Sequence, residues 1–459
     1  MAVEVNDLAK EHGSQWKHTN RVYKILEYNY IVFPLTFILT LYAVKHATHA
    51  GGYYLDIAED GWTKSTIFHV TMMTVFLLLQ MPPFGQILGL CLPMRPNKFA
   101  DKPRTRRLGT LHVCLVTKGT NVSTAVNSVR CWDNLSQREN PSVKFHVLLD
   151  SENSDELEKQ LPSYVVVDKV PENFSVKKAK YKARAQEYFR LKYKFSKEDW
   201  VLHLDEESEM DDRALQTTLD FIERGTGELG MGTIYYTASN HWTNMLMSAA
   251  EVNRVAEDFG RFQLPLLLLR RPFLGWTHGS WLLINGAVEN AIGWDTDNVC
   301  EDYWFGYHAA RLGYKFDWLH GIFREQPPCT FQDLCKQRRR WFTGIFRFEQ
   351  PLAGLALTFG ILAGVGTLIY PSIGFLWQKP AVPAWFRDLM IFNDAAGLHV
   401  LMSASVLQDM SIMNQSLTSI ILHVVVSVIT QPIVNLVHIV LFFSVVLSPP
   451  RGFDVIKKA

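Results

Sequence analysis

Cysteine is scarce in this chain, and none of the usual cysteine spacings occurs. Among its 459 residues there are six cysteines, without a CxxC pair or a zinc-finger spacing. This argues against a disulfide framework and a structural zinc site, and it fits a reduced compartment. Excess charge is lacking as well, because 46 Lys and Arg nearly balance 45 Asp and Glu. Without a basic excess, the sequence predicts no nucleic-acid partner.

Long stretches without any formal charge predict helices that cross a membrane. Residues 28–44 and 65–94 are apolar and uncharged, and they predict a hairpin around a short loop. Two adjacent prolines, Pro82 and Pro83, are expected to kink or end its second helix. Residues 351–377 are also long enough to span. No cleavable signal peptide is expected, because the first apolar run lies too far from the N-terminus.

The C-terminal part of the chain divides less clearly into spans. Residues 410–450 form one uncharged run that contains Pro432. This run predicts either one tilted span with an interfacial extension or two short spans. Residues 389–408 predict either a further span or a helix outside the membrane, because the charged Asp394 lies inside them.

The distribution of cations predicts which side of the membrane each part occupies. Residues 95–107 carry six cations and one acid, and further cations precede the first span and follow the last. By the positive-inside rule, the N-terminus, the middle of the chain and the C-terminus are expected to be cytosolic. The predicted divisions are an N-terminal segment (1–27), a transmembrane hairpin (28–94), a basic linker (95–107), a catalytic domain (108–348), transmembrane or interfacial helices (349–450) and a tail (451–459).

The middle region, residues 108–348, has the pattern of an α/β domain. Short apolar runs alternate with charged helical stretches. Strands are predicted at residues 111–116, 144–149, 164–167 and 200–204, and a basic helix at 177–193. Ligands of open parallel sheets bind outside the carboxyl ends of the strands, where Asp150 and Asp205 fall. The position suits a nucleotide, although the sequence has neither a GxGxxG motif nor a P-loop.

Two acidic pairs are candidates for chemistry. Asp205 and Glu207 stand one residue apart where a strand opens into a loop, a spacing that suits Mg²⁺ or Mn²⁺ bridging a diphosphate. A solvated acidic turn is the alternative. Asp295 and Asp297 form a rival pair, which ranks lower because no apolar strand precedes it.

A second acidic site, Glu301-Asp302, precedes a helix start that is rich in aromatic residues. One interpretation is a general base above an aromatic acceptor platform. The alternative is that the two acids only interact with the helix dipole. The tryptophans of this region, such as Trp276 and Trp294, are candidates for either a sugar-binding surface or the core.

Two basic segments are candidates for binding an anion. The helix predicted at 177–193, which contains Lys182, either steers an anionic substrate or is simply solvated. The segment Gln337-Arg338-Arg339-Arg340-Trp341 combines guanidinium groups, which bind phosphate, with an indole on which a sugar stacks. Contact with lipid headgroups is the alternative for this segment, and we expect it for Arg338 and Arg339.

Taken in order, the carboxylate after an early strand, the Asp-x-acid pair, Glu-Asp and Gln-x-x-Arg-Trp resemble the membrane-bound inverting glycosyltransferases of the cellulose, chitin and hyaluronan synthase group. The resemblance covers about residues 108–348. Residues 200–208 and 324–341 are similar to one animal branch, the egghead-type β-1,4-mannosyltransferases. That branch transfers mannose from GDP-mannose to glucosylceramide.

The resemblance implies a glycosyltransferase A-type domain, with a central and mostly parallel sheet flanked by helices, inserted between transmembrane helices. It implies a role for each candidate residue. Those roles are donor contact for Asp150, Lys182 and Arg340, metal binding for Asp205 and Glu207, base catalysis for Asp302 with support from Glu301, and the acceptor and pyrophosphate side for Gln337, Arg340 and Trp341. One departure is Glu207, where the wider group usually has Asp, so the choice between Mg²⁺ and Mn²⁺ stays open.

The same resemblance implies a GDP-mannose donor, a glucosylceramide acceptor and contact with membrane lipids. It also implies a multi-pass protein of the endoplasmic reticulum or Golgi with a cytosolic catalytic domain. Two other functions remain open at this point. One is a processive polysaccharide synthase, and the other is a membrane scaffold with an inactive transferase-like domain.

Overall fold

The structure is a computed structural model that describes most of the chain. The described residues are 22–50, 55–56, 62–64, 66–68, 70–71, 74, 82–93, 99, 102–151, 155–238, 244–362, 381–411 and 416–448.

The described strands form one large sheet and one small sheet. They are β1 (Leu55–Asp56), β2 (Leu111–Thr117), β3 (Val143–Leu149), β4 (Val166–Lys169), β5 (Trp200–Asp205), β6 (Glu209–Met210), β7 (Leu229–Tyr235), β8 (Leu282–Asn285), β9 (Phe316–Arg324) and β10 (Ala381–Val382). The large sheet has eight strands in the order β4-β3-β2-β5-β8-β7-β9-β6, and β1 pairs with β10.

The large sheet is mixed, with a parallel half that carries the predicted ligand-binding edge. β4, β3, β2 and β5 run parallel to one another, while β8 is antiparallel to both β5 and β7. Every residue of β2 is buried, because helices cover both faces of the sheet and the strand is apolar throughout. The predicted α/β domain with a mostly parallel sheet is confirmed.

The main helices of the described residues are numbered in chain order. They are α1 (Asn29–Ala50), α2 (Pro82–Leu90), α3 (Val122–Arg130), α4 (Asp155–Glu158), α5 (Tyr181–Tyr193), α6 (Asp212–Arg224), α7 (Met245–Glu257), α8 (Leu264–Leu269), α9 (Gly286–Ile292), α10 (Glu301–Arg311), α11 (Phe331–Phe346), α12 (Pro351–Leu362), α13 (Ala384–Met410) and α14 (Leu417–Leu447). A short π-helical segment, Asp258–Gln263, joins α7 to α8.

Two predicted elements have wrong boundaries. The strand predicted at 164–167 is β4, which starts two residues later, because Val165 N–H donates to Pro162 O in a turn (3.1 Å). The helix predicted at 177–193 is α5, which begins only at Tyr181. The preceding backbone is held out of the helix by Asp295, whose Oδ1 accepts from Lys178 N (2.6 Å) and Ala179 N (2.8 Å).

Three described helices, α1, α13 and α14, are long and apolar enough to cross a membrane. The predicted span at 28–44 is α1. Residues 389–408 lie within the continuous helix α13 despite Asp394, and the run 410–450 contains one helix, α14, with Pro432 inside it. Part of the predicted span at 65–94, including residues 75–81, and the second half of the one at 351–377 fall outside the described residues.

The helix α14 has one apolar face that is left uncovered. Its exposed residues recur every three or four positions, which places them along one side of the helix. They are Leu417, Ile421, Leu422, Val425, Ile429, Ile433, Leu436, Val440, Phe443, Val446 and Leu447. The opposite side packs on the rest of the protein. One side of α14 is therefore apolar and exposed, as expected of a helix in contact with lipid.

The α/β domain is packed directly onto the apolar helices. Val400, Leu401, Ala404 and Leu407 of α13 belong to the same buried cluster as the sheet residues. At the end of α13, Ser411 O accepts a hydrogen bond from Arg324, the last residue of β9 (3.1 Å). The carboxyl end of β9 therefore lies against the membrane-like helices.

Candidate active site

Four charged side chains meet at the carboxyl end of β5. Asp205 is the last residue of that strand, and its Oδ1 forms an ion pair with Lys182 Nζ from the first turn of α5. The same ammonium lies 3.2 Å from Glu301 Oε1 and donates to Gly279 O at 3.1 Å. Lys182 thus joins the strand that carries Asp205 to the helix that begins with Glu301.

Asp302 completes this group around Gly279. A Cβ atom placed on Gly279 would lie 3.1 Å from Asp302 Oδ2, 3.2 Å from Lys182 Nζ and 3.5 Å from Asp205 Oδ2. The missing side chain of Gly279 therefore leaves the space between the four groups open. The sequence reasoning missed this glycine, whose local signal is only a small residue three positions before an apolar strand.

Burial and mutual charge set the protonation of the cluster. Burial raises the pKa of Asp302 to about 7, with the charge of Glu301 adding to the effect and Lys182 opposing it. Burial lowers the pKa of Lys182, but Asp205, Glu301 and Asp302 outweigh it, so that pKa is raised. The cluster thus holds a permanent cation beside a carboxyl whose pKa suits a general base near neutral pH.

The carboxylates of Asp205 and Glu207 suit a metal ion only if another molecule supplies its remaining ligands. Asp205 and Glu207 flank Glu206, whose carboxylate accepts from Thr117 Oγ1 and Asn121 Nδ2, two residues outside the cluster. Across the described residues, no group of three or more His, Cys, Asp or Glu side chains is arranged to hold a metal ion. Two carboxylates suit a hard cation whose remaining ligands are phosphate oxygens and water.

Asp150 lies at the same edge of the sheet, one residue after β3. Its Oδ1 accepts from Arg184 Nε at 3.1 Å and from a terminal guanidinium nitrogen at 2.6 Å. Burial raises the pKa of Asp150, and the hydrogen bonds from Arg184 lower it in part. Arg184 stands two residues after Lys182 on α5, so a single helix orients both carboxylates. Nothing in the sequence marks Arg184 as the partner of Asp150, which lies 34 residues away.

Helix α11, which carries the predicted tryptophan and arginines, packs against the start of α10, and its Arg338 is held by a buried charge. Arg338 is 3% exposed, and it forms an ion pair with Glu251 of α7 (2.6 Å) and donates to Gln337 Oε1 (2.6 Å). The expectation that Arg338 contacts lipid headgroups is therefore wrong, because its guanidinium is enclosed between α7, α11 and α14. Arg339 lies near the end of α14 and donates to Ser448 O (3.3 Å).

The ring of Trp341 lies against two guanidinium groups. The central carbons of Arg338 and Arg254 are 4.3 and 4.5 Å from the ring centroid. Trp341 also borders an aromatic cluster that contains Tyr303 and Phe348. Contacts to the guanidinium groups fix the ring, so the part of it left for a sugar is smaller than the sequence suggested.

Arg340 lies near the start of α10. Burial raises the pKa of the Cys300 thiol, the charge of Asp302 adds to this, and Arg340 opposes it. Gly344 of α11 also packs so tightly on Cys300 that a Cβ there would overlap its sulfur. The start of α10 and the helix α11 are thus in direct contact, which brings Arg340 near the four-residue cluster.

Several other aromatic, histidine and acidic residues of the domain have structural roles. Trp281, Trp294 and Trp318 are fully buried core residues, whereas Trp276 and Trp304 border the aromatic cluster beside the site. His203 is buried and lies 3.1 Å from Glu289. Asp295 caps the backbone before α5, so the rival acidic pair has a structural role at that residue.

Loss of Arg338 is expected to destabilise the protein strongly. In an Arg338→Met variant, Glu251 would stay fully buried with Arg254 as its remaining cation (3.1 Å). Breaking a buried pair typically costs about 3–5 kcal/mol. We expect a marked fall in Tm in a thermal unfolding assay of the purified protein. The matched control is Arg339→Met, which leaves Glu251 paired; an equal fall in both variants would contradict the account.

Comparison with known proteins gives matches of two kinds. Residues 200–447 match the family described as "Glycosyl transferase family group 2". Among curated proteins, the chain is similar to beta-1,4-mannosyltransferase bre-3 of Caenorhabditis elegans, with 34% identity over 36% of this chain and 37% of the relative. It is also similar to beta-1,4-mannosyltransferase egh of Drosophila melanogaster, with 32% identity over 32% of each chain. The alignments span about a third of the length of these relatives.

Among solved structures, the mannosyltransferase PcManGT from Pyrobaculum calidifontis, in complex with GDP-Man and Mn²⁺, aligns with 81% of this chain and 99% of its own. The identity is 11% and the TM-score is 0.41. At this TM-score the likeness says nothing of ligands.

Proposed function

Because the chain belongs to glycosyl transferase family group 2, we propose that it is an inverting β-1,4-mannosyltransferase. Its proposed donor is GDP-mannose and its proposed acceptor is glucosylceramide. The proposal for mannose rests on the names of the curated relatives. The choice of GDP and of the glycolipid rests on the resemblance of residues 200–208 and 324–341 to the egghead-type branch.

One observation carries the proposed chemistry. Asp302, with a pKa raised to about 7, lies beside the Lys182 cation and the Asp205 carboxylate around the open position of Gly279. A base and an anion-binding group next to each other are what a single displacement at a sugar carbon requires. The aromatic cluster of Tyr303, Trp304 and Tyr307 beside the base offers ring faces to a sugar acceptor.

In the proposed reaction, an acceptor hydroxyl gives its proton to Asp302 while its oxygen bonds to the anomeric carbon. The bond from that carbon to the phosphate oxygen breaks, and the nucleoside diphosphate leaves with the electron pair. Lys182 and Arg340 offset the charge that grows on the departing diphosphate. Attack from the face opposite the leaving group converts an α-linked donor into a β-linked product.

Mg²⁺ or Mn²⁺, held by Asp205 and Glu207, would stabilise negative charge on the diphosphate. Asp150, oriented by Arg184, is assigned to the nucleoside at the neighbouring strand end. Gln337 and Trp341 are assigned to the acceptor side. A lipid acceptor fits the position of the domain, because α11 packs between the site and the apolar helix α14.

The proposed base predicts a defined pH dependence. Only the ionised Asp302 accepts a proton, so kcat/KM for the acceptor should rise with pH and level off above about 7. Because Lys182 lowers this pKa, Lys182→Met should move the midpoint to higher pH. The exposed Lys178→Met is the control and should leave the midpoint unchanged. A midpoint near pH 4 in the unmodified protein would contradict the assignment.

The proposed substrates are tested with purified full-length protein in detergent or nanodiscs. The protein is given glucosylceramide and a panel of nucleotide sugars, with and without Mn²⁺. We expect one mannose to be added from GDP-mannose. Long polymeric products would favour a polysaccharide synthase, and the absence of both transfer and nucleotide binding would favour a scaffold. The proposed cytosolic orientation in the endoplasmic reticulum or Golgi is tested separately, by protease protection of membrane vesicles.

A further inference from the structure

A cluster of exposed apolar side chains lies on the α/β domain, outside the site described above. It consists of Leu268 and Leu269 at the end of α8, Phe273 in the following turn and Leu312 after α10. Between 50% and 69% of each side chain is exposed to solvent. We call these four residues the apolar tip. Exposed apolar patches of this kind usually mark an interaction surface.

The two segments that carry the apolar tip are fastened together. Phe316 N–H donates to Arg270 O at 3.0 Å, and Arg270 Nε donates to Phe316 O at 3.2 Å. Arg270 and Leu274 both have a left-handed backbone, with φ of 57° and 53°. Non-glycine residues enter this region at a cost and stay there only where the surroundings hold them. The leucines are therefore presented by a defined turn.

Cations surround the apolar tip. Arg271, Arg311 and Lys315 are exposed next to it, and Arg270 is partly exposed. Two acids offset part of this charge, since Asp317 lies 3.2 Å from Arg270 and Glu228 accepts from Lys315 N at 2.8 Å. The surroundings of the tip remain basic. An apolar centre with a basic rim matches an anionic lipid surface, into which the leucines and Phe273 insert while the cations meet the headgroups.

The helix that carries part of the apolar tip, α8, also lies beside the last helix of the predicted membrane hairpin. The π-helical segment and α8 pack along α2, where a Cβ on Gly89 would overlap Phe259 O and one on Gly85 would lie 4.0 Å from Leu264. Helix α2 ends the predicted hairpin, and its Leu88 is 59% exposed. A bilayer that surrounds the hairpin would therefore reach the side of the domain on which α8 lies.

We propose that the apolar tip is a membrane-docking element that inserts into an anionic lipid surface beside the predicted hairpin. A second copy of the chain is a poorer occupant, because a symmetric contact would bring the two basic rims together. Docking would also act on the site. Phe273 contacts Trp276 at 5.8 Å between ring centroids, and Thr277 Oγ1 donates to Asp302 O at 2.6 Å. The tip is thus linked from Phe273, through Trp276 and the adjacent Thr277, to the backbone of the proposed base.

The test uses the full-length protein in liposomes, with the photo-crosslinker p-benzoylphenylalanine in place of Leu269. The matched control carries it in place of Leu191, an exposed leucine of α5 (42% exposed). We expect lipid adducts at position 269 and none at position 191. In phosphatidylserine-containing vesicles, the adduct should fall about fivefold for each cation removed by Arg271→Gln and Arg311→Gln. These changes should have little effect in pure phosphatidylcholine.

Three results would overturn the docking role. They are equal lipid adducts at both positions, no adduct at position 269, and crosslinks from position 269 to a second copy of the chain. Crosslinking requires no turnover, so its outcome is independent of whether the proposed mannosyl transfer is correct.

Discussion

Replacing Asp302 with asparagine is expected to lower kcat for sugar transfer about 10²–10⁴-fold, the usual contribution of a general base. The amide has nearly the same shape but cannot take the acceptor proton. Lys182 keeps Asp205 and Glu301 as partners in this variant. Binding of the nucleotide donor should therefore stay nearly unchanged. The measurement pairs single-turnover transfer with calorimetric titration of the nucleotide.

The control for this experiment is Asp297→Asn, which changes an exposed acid of the rival pair that lies shortly before α10. It should transfer at the rate of the unmodified protein. Wild-type turnover in Asp302→Asn would show that another group takes the proton. Loss of nucleotide binding in that variant would show that Asp302 acts on the donor instead.

The second large effect is expected at Asp205. In Asp205→Asn, the metal-dependent part of nucleotide binding should fall by more than the about 10–100-fold that loss of an outer-sphere partner costs. The residual binding should no longer respond to Mn²⁺, because a neutral amide is a poor ligand for a hard cation. Titration of the nucleotide with and without Mn²⁺ measures both quantities directly, without turnover.

The adjacent Glu206 offers a matched control for Asp205. Its carboxylate accepts hydrogen bonds from Thr117 and Asn121, which are not part of the cluster. Glu206→Gln should therefore preserve the response to Mn²⁺. If Asp205→Asn kept the full metal dependence, or if Glu206→Gln lost it, the assignment of the metal to Asp205 and Glu207 would be wrong.

Three strands of the parallel half of the sheet, β2, β3 and β5, were predictable because they are almost entirely buried. A strand covered by helices on each side reads as a short apolar run, as β2 and β5 do. The carboxyl ends of such strands meet at one edge, so Asp150 and Asp205 were placed correctly from position alone. The start of α10 was also predictable, because two acids precede an aromatic helix.

The partners of these carboxylates were not predictable, because they come from distant parts of the chain. Lys182 is 23 residues from Asp205, and Arg338 is 87 residues from Glu251. Nothing near Glu251 in the sequence shows that it will be buried against Arg338. The start of α5 was misplaced for the same reason, since Asp295 holds the preceding backbone from more than a hundred positions away.

The packing of α11 gives the three arginines of its basic motif different roles. Its three arginines look equivalent in the sequence, but they face three different surroundings. Arg338 pairs with buried Glu251, Arg339 lies at the end of α14, and Arg340 lies near Cys300 at the start of α10. A helix turns by about 100° for each residue, so adjacent positions cannot share a partner. Only Arg340 remains a candidate for the diphosphate.

The central claim is that Asp302 drives a single inverting displacement beside the Lys182–Asp205 pair. The most direct measurement is the anomeric configuration of the first product formed from an α-linked nucleotide sugar, determined by NMR for the full-length protein. The account predicts a β-linked product, formed by the unmodified protein and lost in Asp302→Asn. An α-linked product, or a β-linked product formed at the same rate by the variant, would contradict it.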